Sequence, residues 1–413
     1  MLEFQQSVDM EEMMKVWYIV AACALFYSGL AKAQYYQPVE NNFEEIGADV
    51  DANATDVKED NVLKDKLIDT SVHFAQRNKD LAIAKTWLQQ EFSRNEGKNI
   101  VVSPLSFYLS AVLLANGVVD EGLIEFSNLF SVLRLSDVGR KINEYMHREK
   151  DSTFINVSLW GKAFSDRYQK MMSEQFGAEV WGIKESTSAI NDWAATRTKG
   201  VIKKIAPVKD VAENELYVGS IAYFKGQLPL TTYSVTEENF NGKKYKVATL
   251  SAQVEADYYE DNEKQAIRLA CGHDDLLTIL LPKEDVDFDE FVEKLDVYNL
   301  IPEFDERGSV NLSLPVLNFD YGTVFAKNVY DTFNISRIFM KENYSFAKMV
   351  SFDEDIYLRD LFMVSKIDIG AQGTPSSSTD KKNIVTKYTF NANRPFVFIV
   401  NKGDFIGTFV WGN

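Results

Sequence analysis

The segment Glu215-Leu-Tyr-Val-Gly-Ser-Ile-Ala-Tyr-Phe-Lys-Gly226 is an almost unbroken run of apolar residues between a glutamate and a lysine-glycine pair. A run of this kind is typical of a β-strand that is covered on both faces. Leu276-Leu-Thr-Ile-Leu-Leu281 has the same character, and Phe154-Ile-Asn-Val-Ser-Leu-Trp160 places alternate apolar residues on one face. Together the three segments predict a large β-sheet with a covered interior.

Helical spacing dominates earlier in the chain. From Asp69 onward, apolar residues recur at intervals that fit one face of a helix, at Val72, Phe74, Ala75, Leu81, Ala84, Trp87, Leu88 and Phe92. The C-terminus has the pattern of a hairpin, with apolar runs on both sides of a turn at Asn401-Lys-Gly-Asp404. Since helices come mostly early and strands mostly late, we expect the α+β class.

The N-terminus has the order of a secretory signal. Met14-Lys15 precedes the apolar run Val16–Leu30, and Ala31-Lys-Ala33 follows it as a small-x-small cleavage site. The run is too short to span ~30 Å of hydrocarbon. We therefore expect an extracellular protein from which residues 1–33, including an acidic leader, are removed. Met13 or Met14 is the alternative start.

The remaining chain divides into a tail and one domain. Residues 34–68 are acidic and lack apolar periodicity, which is typical of a disordered segment. Residues 69–413 are expected to form a single domain with a large core, since 46% of all 413 residues are hydrophobic. The lone cysteine of this domain, Cys271, is expected to be a small buried residue, because Cys23 leaves with the signal.

Charge and motif content narrow the function. A net charge of −17 argues against nucleic acid or an anionic membrane as a partner. The chain contains no Gly-x-Ser-x-Gly, His-Glu-x-x-His or phosphate-binding-loop motif, and its three histidines lack a recognisable catalytic neighbourhood. We expect no enzyme activity, no metal and no cofactor, and a monomer.

Six segments resemble motifs of the serpin family. In chain order they are Asn99–Ser106 with Ala111–Gly117 behind it, Asn191–Ile202, Ala222–Gly226, Leu280–Glu284, Leu314–Phe319 and Asn393–Phe398. The resemblance runs from about residue 69 to the C-terminus. It implies a serpin fold, with about nine helices around three mostly antiparallel β-sheets and an exposed reactive-centre loop at about residues 373–389.

The resemblance also implies a mechanism. The reactive loop offers a scissile bond to a serine protease, and after acylation the N-terminal part of the loop enters the central sheet as a new strand. This insertion drags the protease along and distorts its active site. Insertion is favourable because the new strand gains ladder hydrogen bonds and buries side chains.

The hinge of this loop departs from the family pattern. The polar stretch Gly370–Asp380 has no large apolar residue and is expected to be exposed. Its Gly373-Thr374 resembles the hinge of the family, followed by Pro375 and then by Ser376, Ser377 and Ser378. Pro375 has no N–H for a ladder and is disfavoured in a central strand.

The loop is also short. Counting forward from Gly373 by the usual spacing of the family puts the scissile residue at Lys387, whereas counting backward from Phe390 puts it at Lys381 or Lys382. The shortfall of about five or six residues corresponds to ~16–20 Å of strand. We take Lys381 and Lys382 as the scissile candidates.

The region where the sheet must open differs as well. Ser103 and Ser106 belong to the segment expected beneath this gate. Ser220 stands where the family has an asparagine, and Met363 stands where it has a histidine. Because both members of that pair are replaced together, we expect no buried group to be left unpaired.

Two functions follow from these features. One is a secreted inhibitor of a serine protease, with a trypsin-like partner that binds the lysine. The other is a non-inhibitory serpin that acts as a binding, carrier or decoy protein, which the short loop and Pro375 favour. Candidate N-glycosylation sequons occur at Asn53, Asn156, Asn311, Asn334 and Asn343.

Overall fold

The computed structural model describes most of the predicted domain. The described residues are 81–130, 153–375 and 386–410, except 96, 162–163, 184–185, 213, 243, 273, 299, 305, 324–329, 332, 342–345, 351–355 and 402–403. They all belong to one compact unit, Asp65–Asn413. The predicted signal and the acidic tail lie outside the described residues.

Three of the described helices begin at a side-chain cap, at Ser103, Ser165 and Asp287. The helix at 81–94 (α1) confirms the predicted helical run from Leu81 to Phe92 and buries Trp87 and Leu88, whereas Val72, Phe74 and Ala75 lie outside the described residues. The hydroxyl of Ser103 accepts from the Ser106 amide and caps the next helix. The others are α2 (Pro104–Gly117), α3 (Asp120–Phe130), α4 (Asp166–Phe176), α5 (Ser188–Arg197), α6 (Phe288–Glu293) and a 3₁₀ turn (Arg337–Phe339).

Thirteen strands occur in the described part of the chain. They are β1 (Ile100–Val102), β2 (Thr153–Gly161), β3 (Glu179–Gly182), β4 (Glu215–Phe240), β5 (Tyr245–Glu260), β6 (Lys264–Ala270), β7 (Leu276–Pro282), β8 (Glu306–Pro315), β9 (Leu317–Thr323), β10 (Tyr357–Pro375), β11 (Tyr388–Asn391), β12 (Phe396–Val400) and β13 (Phe405–Phe409). All three strand segments quoted from the sequence are confirmed, as β2, β4 and β7. The predicted C-terminal hairpin is β12 and β13, which pair antiparallel.

The strands are hydrogen-bonded into one continuous network, in which the longest path is β1-β13-β12-β7-β6-β5-β4-β10-β9. β4 creates much of this continuity, because its first half pairs with β2 and β10 and its second half pairs with β5. The described residues therefore do not confirm the expected count of three sheets, nor that of nine helices. Most pairs are antiparallel, but β4–β10, β8–β11 and β2–β3 are parallel.

The central part of the sheet has the order β3-β2-β4-β10-β9 and is covered on both faces. A large core that includes Leu216, Val218 and Phe224 lies on one face. On the other face α5 contributes Ile190 and Trp193 to a smaller cluster with Tyr217. Burial on both faces explains the unbroken apolar run of β4.

Candidate functional site: the seam between β4 and β10 and its two ends

We call the contact between β4 and β10 the seam. Its two strands run parallel from Tyr357 beside Glu215 to Pro375 beside Tyr233, and no strand stands between them. We call the end where both strands begin the foot and the end at Pro375 the top. A loop that enters the central sheet next to β10 must part this seam.

The hinge residues extend the seam at its top. Beyond an irregularity in the register, Thr374 pairs with Thr232 and Pro375 with Tyr233. Gly373 lies at this irregularity with a φ of 138°, and a Cβ built on it would come 1.8 Å from the carbonyl oxygen of Leu230. Only glycine fits this close approach of the two backbones.

Both ends of the segment expected to form the reactive loop, residues 373–389, lie in strands. Gly373–Pro375 belongs to β10 and Tyr388–Asn391 to β11. The connection between the two strands is residues 376–387. Ser376, Ser377, Ser378, Lys381 and Lys382 fall within this connection and lie outside the described residues.

The far end of the connection is held by β8 and β5. The Lys387 amide donates to the Ser309 carbonyl at 2.9 Å, and the Lys387 ammonium lies 2.9 Å from the Glu306 carboxylate. The next residue, Tyr388, stacks on Tyr258 with ring centroids 4.3 Å apart. These contacts hold Lys387, the residue reached by the forward count, beside β8.

The gate positions meet across the middle of the seam. Ser220 of β4 pairs in register with Met363 of β10, and both are buried. The Ser220 hydroxyl has no hydrogen-bond partner among the described residues. The expectation that no buried group is left unpaired was therefore wrong, because serine keeps a polar atom where methionine offers no strong acceptor.

Ser103 and Ser106 serve a helix end. Besides capping α2, the Ser103 hydroxyl donates to the Asp404 carbonyl at 3.0 Å, and the Ser106 hydroxyl donates to the Ser103 carbonyl at 3.0 Å. Among the described hydrogen bonds, none joins either serine to Ser220.

At the foot, Glu215 receives donors from both strands of the seam. The Tyr217 hydroxyl donates to its Oε2 at 2.5 Å, and the Ala212 amide donates to the same atom at 3.0 Å. From β10, the Tyr357 hydroxyl donates to Oε1 at 3.1 Å, and Arg359 Nε lies 3.5 Å from that oxygen. We call these five residues the foot cluster.

The foot cluster keeps its carboxylate ionised. Burial by itself raises the pKa of Glu215, but the hydrogen bonds from Tyr217, Ala212 and Tyr357 and the charge of Arg359 outweigh it and hold that pKa below its ordinary value. Burial and the same carboxylate raise the pKa of Tyr357. The phenol thus remains a donor and the carboxylate an acceptor at neutral pH.

A second set of contacts crosses the seam just above. Tyr217 of β4 stacks on Phe362 of β10, with ring centroids 5.9 Å apart and planes 10° apart. Lys209, from the segment that follows α5, pairs with Asp360 and lies over both rings. No sequence motif marks the residues at the foot. The only indication of them in the sequence is Glu215, a glutamate at the start of a buried strand.

The sequons differ in their surroundings. Asn156 lies in β2, where its side chain is partly buried and donates to Glu179 at 3.4 Å. Asn311 lies in β8 between two partner strands but is exposed, and Asn334 is exposed in a turn with a φ of 58°. Asn53 and Asn343 lie outside the described residues.

The described residues contain no group of three or more His, Cys, Asp or Glu side chains that could hold a metal ion. None of the described helices has the length and apolarity needed to cross a membrane. Cys271 is buried, and burial, with a smaller effect of Asp275, raises the pKa of its thiol to about 12.

Comparison with known proteins gives one consistent result. Residues 77–409 match the family profile described as Serpin (serine protease inhibitor). Mouse antithrombin-III is 23% identical over 352 residues, covering 75% of this chain and 74% of that protein. Serine protease inhibitor 2 of Anopheles gambiae is 21% identical over 365 residues, covering 78% of this chain and 88% of that protein.

Solved structures agree on the fold. The thermophilic serpin tengpin in its native state has a TM-score of 0.71 and 21% identity, covering 83% of this chain and 94% of tengpin. Native protease nexin-1 with heparin has a TM-score of 0.66 and 17% identity, covering 81% of this chain and 97% of that chain. The chain has the serpin fold and belongs to the serpin family, which includes inhibitors of serine proteases.

Proposed function

We propose that this protein is a secreted serpin that presents Lys381 or Lys382 to a serine protease of trypsin-like specificity. The observation that carries the proposal is the anchoring of residues 376–387 at both ends, at Pro375 on β4 and at Lys387 on β8. Both lysines lie in this twelve-residue connection.

The charge of these lysines gives the proposed specificity. An acidic group at the base of a trypsin-like specificity pocket binds a lysine side chain. In this proposal the protein is the ligand of the protease and performs no catalysis itself. It acts as a monomer with no cofactor.

Limited digestion tests the proposal. Brief treatment with trypsin should give a first cut after Lys381 or Lys382, since a connection between two strands is more accessible than the strands themselves. The double variant Lys381→Ala/Lys382→Ala should lose this first cut and keep later ones. First cuts within Leu216–Leu281 would show that the loop assignment is wrong.

The short segment available for insertion favours a second candidate function, that of a weak or non-inhibitory serpin. The part of the seam from the foot to Ile369, where the pairing of β10 with β9 ends, is thirteen residues long on β10. The segment Thr374–Lys382 supplies nine residues for an inserted strand. The difference of four residues corresponds to ~13 Å at ~3.3 Å per residue. A cut loop of this length fills only part of an opened seam.

Complex formation separates the two candidates. Because the loop is short, we expect trypsin mostly to cleave the protein and then dissociate. We also expect cleavage to raise the melting temperature much less than it does in an inhibitory serpin. Gel electrophoresis in SDS and a thermal melt before and after cleavage provide the two measurements. An SDS-stable complex at near-equimolar protease would instead support inhibition with a short loop.

Secretion has its own test. The small-x-small site Ala31-Lys-Ala33 predicts that the exported chain begins at Gln34. Mass analysis of the intact secreted protein measures this start directly. Retention of residues 14–33 in secreted material would contradict the signal assignment.

A further inference from the structure

The foot cluster differs from the other ion pairs of the described sheet because it joins β4 to β10, the two strands that must separate. Tyr217 and Ala212 reach Glu215 from its own side of the seam, whereas Tyr357 and Arg359 reach it from β10. Each oxygen of the carboxylate thus has a set of donors. Separation of the strands would remove the donors of Oε1 and leave those of Oε2.

A β-bulge brings Arg359 into this position. Leu358 pairs with Leu216 and Asp360 with Tyr217, so Arg359 is an extra residue without a partner in the ladder. A bulge of this kind redirects a side chain and bends its strand. Here it places the guanidinium beside Glu215, while Asp360 returns to register and pairs with Lys209.

We propose that Glu215, Tyr357 and Arg359 form a clasp that holds the foot of the seam closed and thereby limits how much of an attacking protease is retained as a complex. The inference rests on the proposed function, because retention requires that a protease cuts the loop. It extends that function by assigning to three residues the control of strand separation.

The clasp is strong because its centre is shielded from water. The Glu215 side chain is only 13% exposed, while that of Arg359 is 50% exposed. When the strands separate, the shielded carboxylate stays charged but has fewer hydrogen-bond donors around it. This raises the free energy of the separated state and therefore opposes separation. Charge-assisted hydrogen bonds of this kind are stronger than neutral ones.

The sheet offers a matched control. Glu179 is 15% exposed and also receives several donors, from Arg197 at 2.6 Å, Trp193 at 3.2 Å and Asn156 at 3.4 Å. It lies on β3, and these partners come from α5 and β2. Glu179 is therefore a carboxylate of similar burial and bonding that does not cross the seam.

Hydrogen exchange of the intact, uncut protein measures the clasp directly. In Glu215→Gln the amides of β10 from Tyr357 to Ile369 should exchange about tenfold faster than in the natural protein, as expected for the loss of one or two charge-assisted hydrogen bonds. Glu179→Gln should leave these amides unchanged. Equal exchange in the two variants would overturn the proposal.

A milder variant guards against misfolding. Arg359→Gln changes a half-exposed side chain at a bulge and should raise β10 exchange about threefold, with unchanged circular dichroism. If Arg359→Gln and Glu215→Gln both fold normally and neither accelerates exchange of β10, the clasp does not exist.

Incubation with trypsin then measures how much protease is retained in a complex. The result distinguishes the proposed clasp from the proposed function. Glu215→Gln should raise the ratio of SDS-stable complex to cut protein at least threefold, whereas Glu179→Gln should not. Faster exchange of the β10 amides with no rise in this ratio would overturn the claim that the clasp limits how much protease is retained. Faster exchange with no cut at Lys381 or Lys382 would refute the proposed function while the clasp itself stands.

Discussion

The two ends of the seam are closed by different physical means. At the foot, side chains from both strands meet on one carboxylate, Glu215. At the top, backbone approaches backbone so closely at Gly373 that a Cβ would meet the Leu230 carbonyl at 1.8 Å. The foot therefore depends on charge and the top on the absence of a side chain. Each end can be weakened without changing the other.

Between its two ends the described seam has one side-chain hydrogen bond across it, from the Tyr223 hydroxyl of β4 to Asp368 of β10 at 3.2 Å. Ser220 and Met363 face each other there, and the serine hydroxyl lacks a partner among the described residues. A buried unpaired hydroxyl lowers stability by about 1–3 kcal/mol. Different contacts therefore hold the ends and the part between them, so variants at either end are expected to have separable effects.

The largest effect is expected from the loop itself, because the length of the inserting strand sets how much of an opened seam is filled. Insertion of five or six small residues after Ser378, combined with Pro375→Ala, should shift trypsin from mostly cutting the protein to forming a complex at least fivefold more often. The added residues supply ~16–20 Å of strand. Gel electrophoresis in SDS gives the ratio of complex to cut protein.

A matched insertion controls for loop accessibility. The same residues placed after Thr386, beyond the scissile candidates, lengthen the connection without lengthening the strand that inserts. This variant should be cut at least as fast but form no more complex. If both insertions raise complex formation equally, strand length is not the limiting factor.

The next effect breaks the top of the seam. Gly373→Ala should detach Thr374 and Pro375 from β4, because the new Cβ clashes with backbone at a φ that alanine rarely adopts. Retaining the paired conformation would require about 1–3 kcal/mol of strain. Hydrogen exchange at the Thr374 amide should lose its protection, while the amides near Tyr357 should not change.

Gly370 provides the control on the same strand. A Cβ at Gly370 would meet nothing within 4 Å. Gly370→Ala should therefore leave exchange at Thr374 and the melting temperature within error of the natural protein. Equal loss of protection in both variants would mean that the top is held by strand propensity and not by the close approach at Gly373.

The contrast between the ends also explains what the sequence could predict. The local pattern of apolar residues in Glu215–Gly226 and in the C-terminal hairpin is sufficient to indicate strands. The first part of β4, β12 and β13 were therefore predictable from the sequence. The continuation of β4 to Phe240 was not, because no residue of Thr231–Asn239 is buried and this stretch is mostly polar. The pairing of Gly373–Pro375 depends on that continuation.

The foot cluster was hidden for another reason. Tyr357 is 142 residues from Glu215 in the chain, and Arg359 reaches the carboxylate only because one extra residue stands in β10. Periodicity gives the face of a strand but not its register against a distant partner. The gate residues Ser220 and Met363 could be found by motif, yet the unpaired hydroxyl between them depends on the packed structure.

A smaller effect is expected when only the Tyr357 hydroxyl, which bonds across the foot of the seam, is removed. Tyr357→Phe removes one hydrogen bond to Glu215 and leaves the ring in place, which should raise exchange of the first amides of β10 by about two- to tenfold. Tyr258→Phe is the control, since the Tyr258 hydroxyl donates to Glu260 at 2.5 Å away from the seam. Faster β10 exchange in Tyr258→Phe would indicate a general loosening of the sheet.

The smallest expected effect is a pH dependence of the stability difference between the natural protein and Glu215→Gln. Because the pKa of Glu215 in the folded protein is lowered from its ordinary value of 4.5, its stabilising contribution is complete above that value and is lost as the pH falls through the lowered pKa. The free energy of unfolding in urea should therefore differ between the natural protein and Glu215→Gln by a constant amount from about pH 7 to about pH 5.5. Below pH 4.5 the difference should shrink. Glu260 and Asp261 also have lowered pKa values, but they are present in both proteins and cancel in the difference. A difference that already shrinks between about pH 7 and pH 6 would assign the effect to a group other than Glu215, because its carboxylate stays ionised throughout that range.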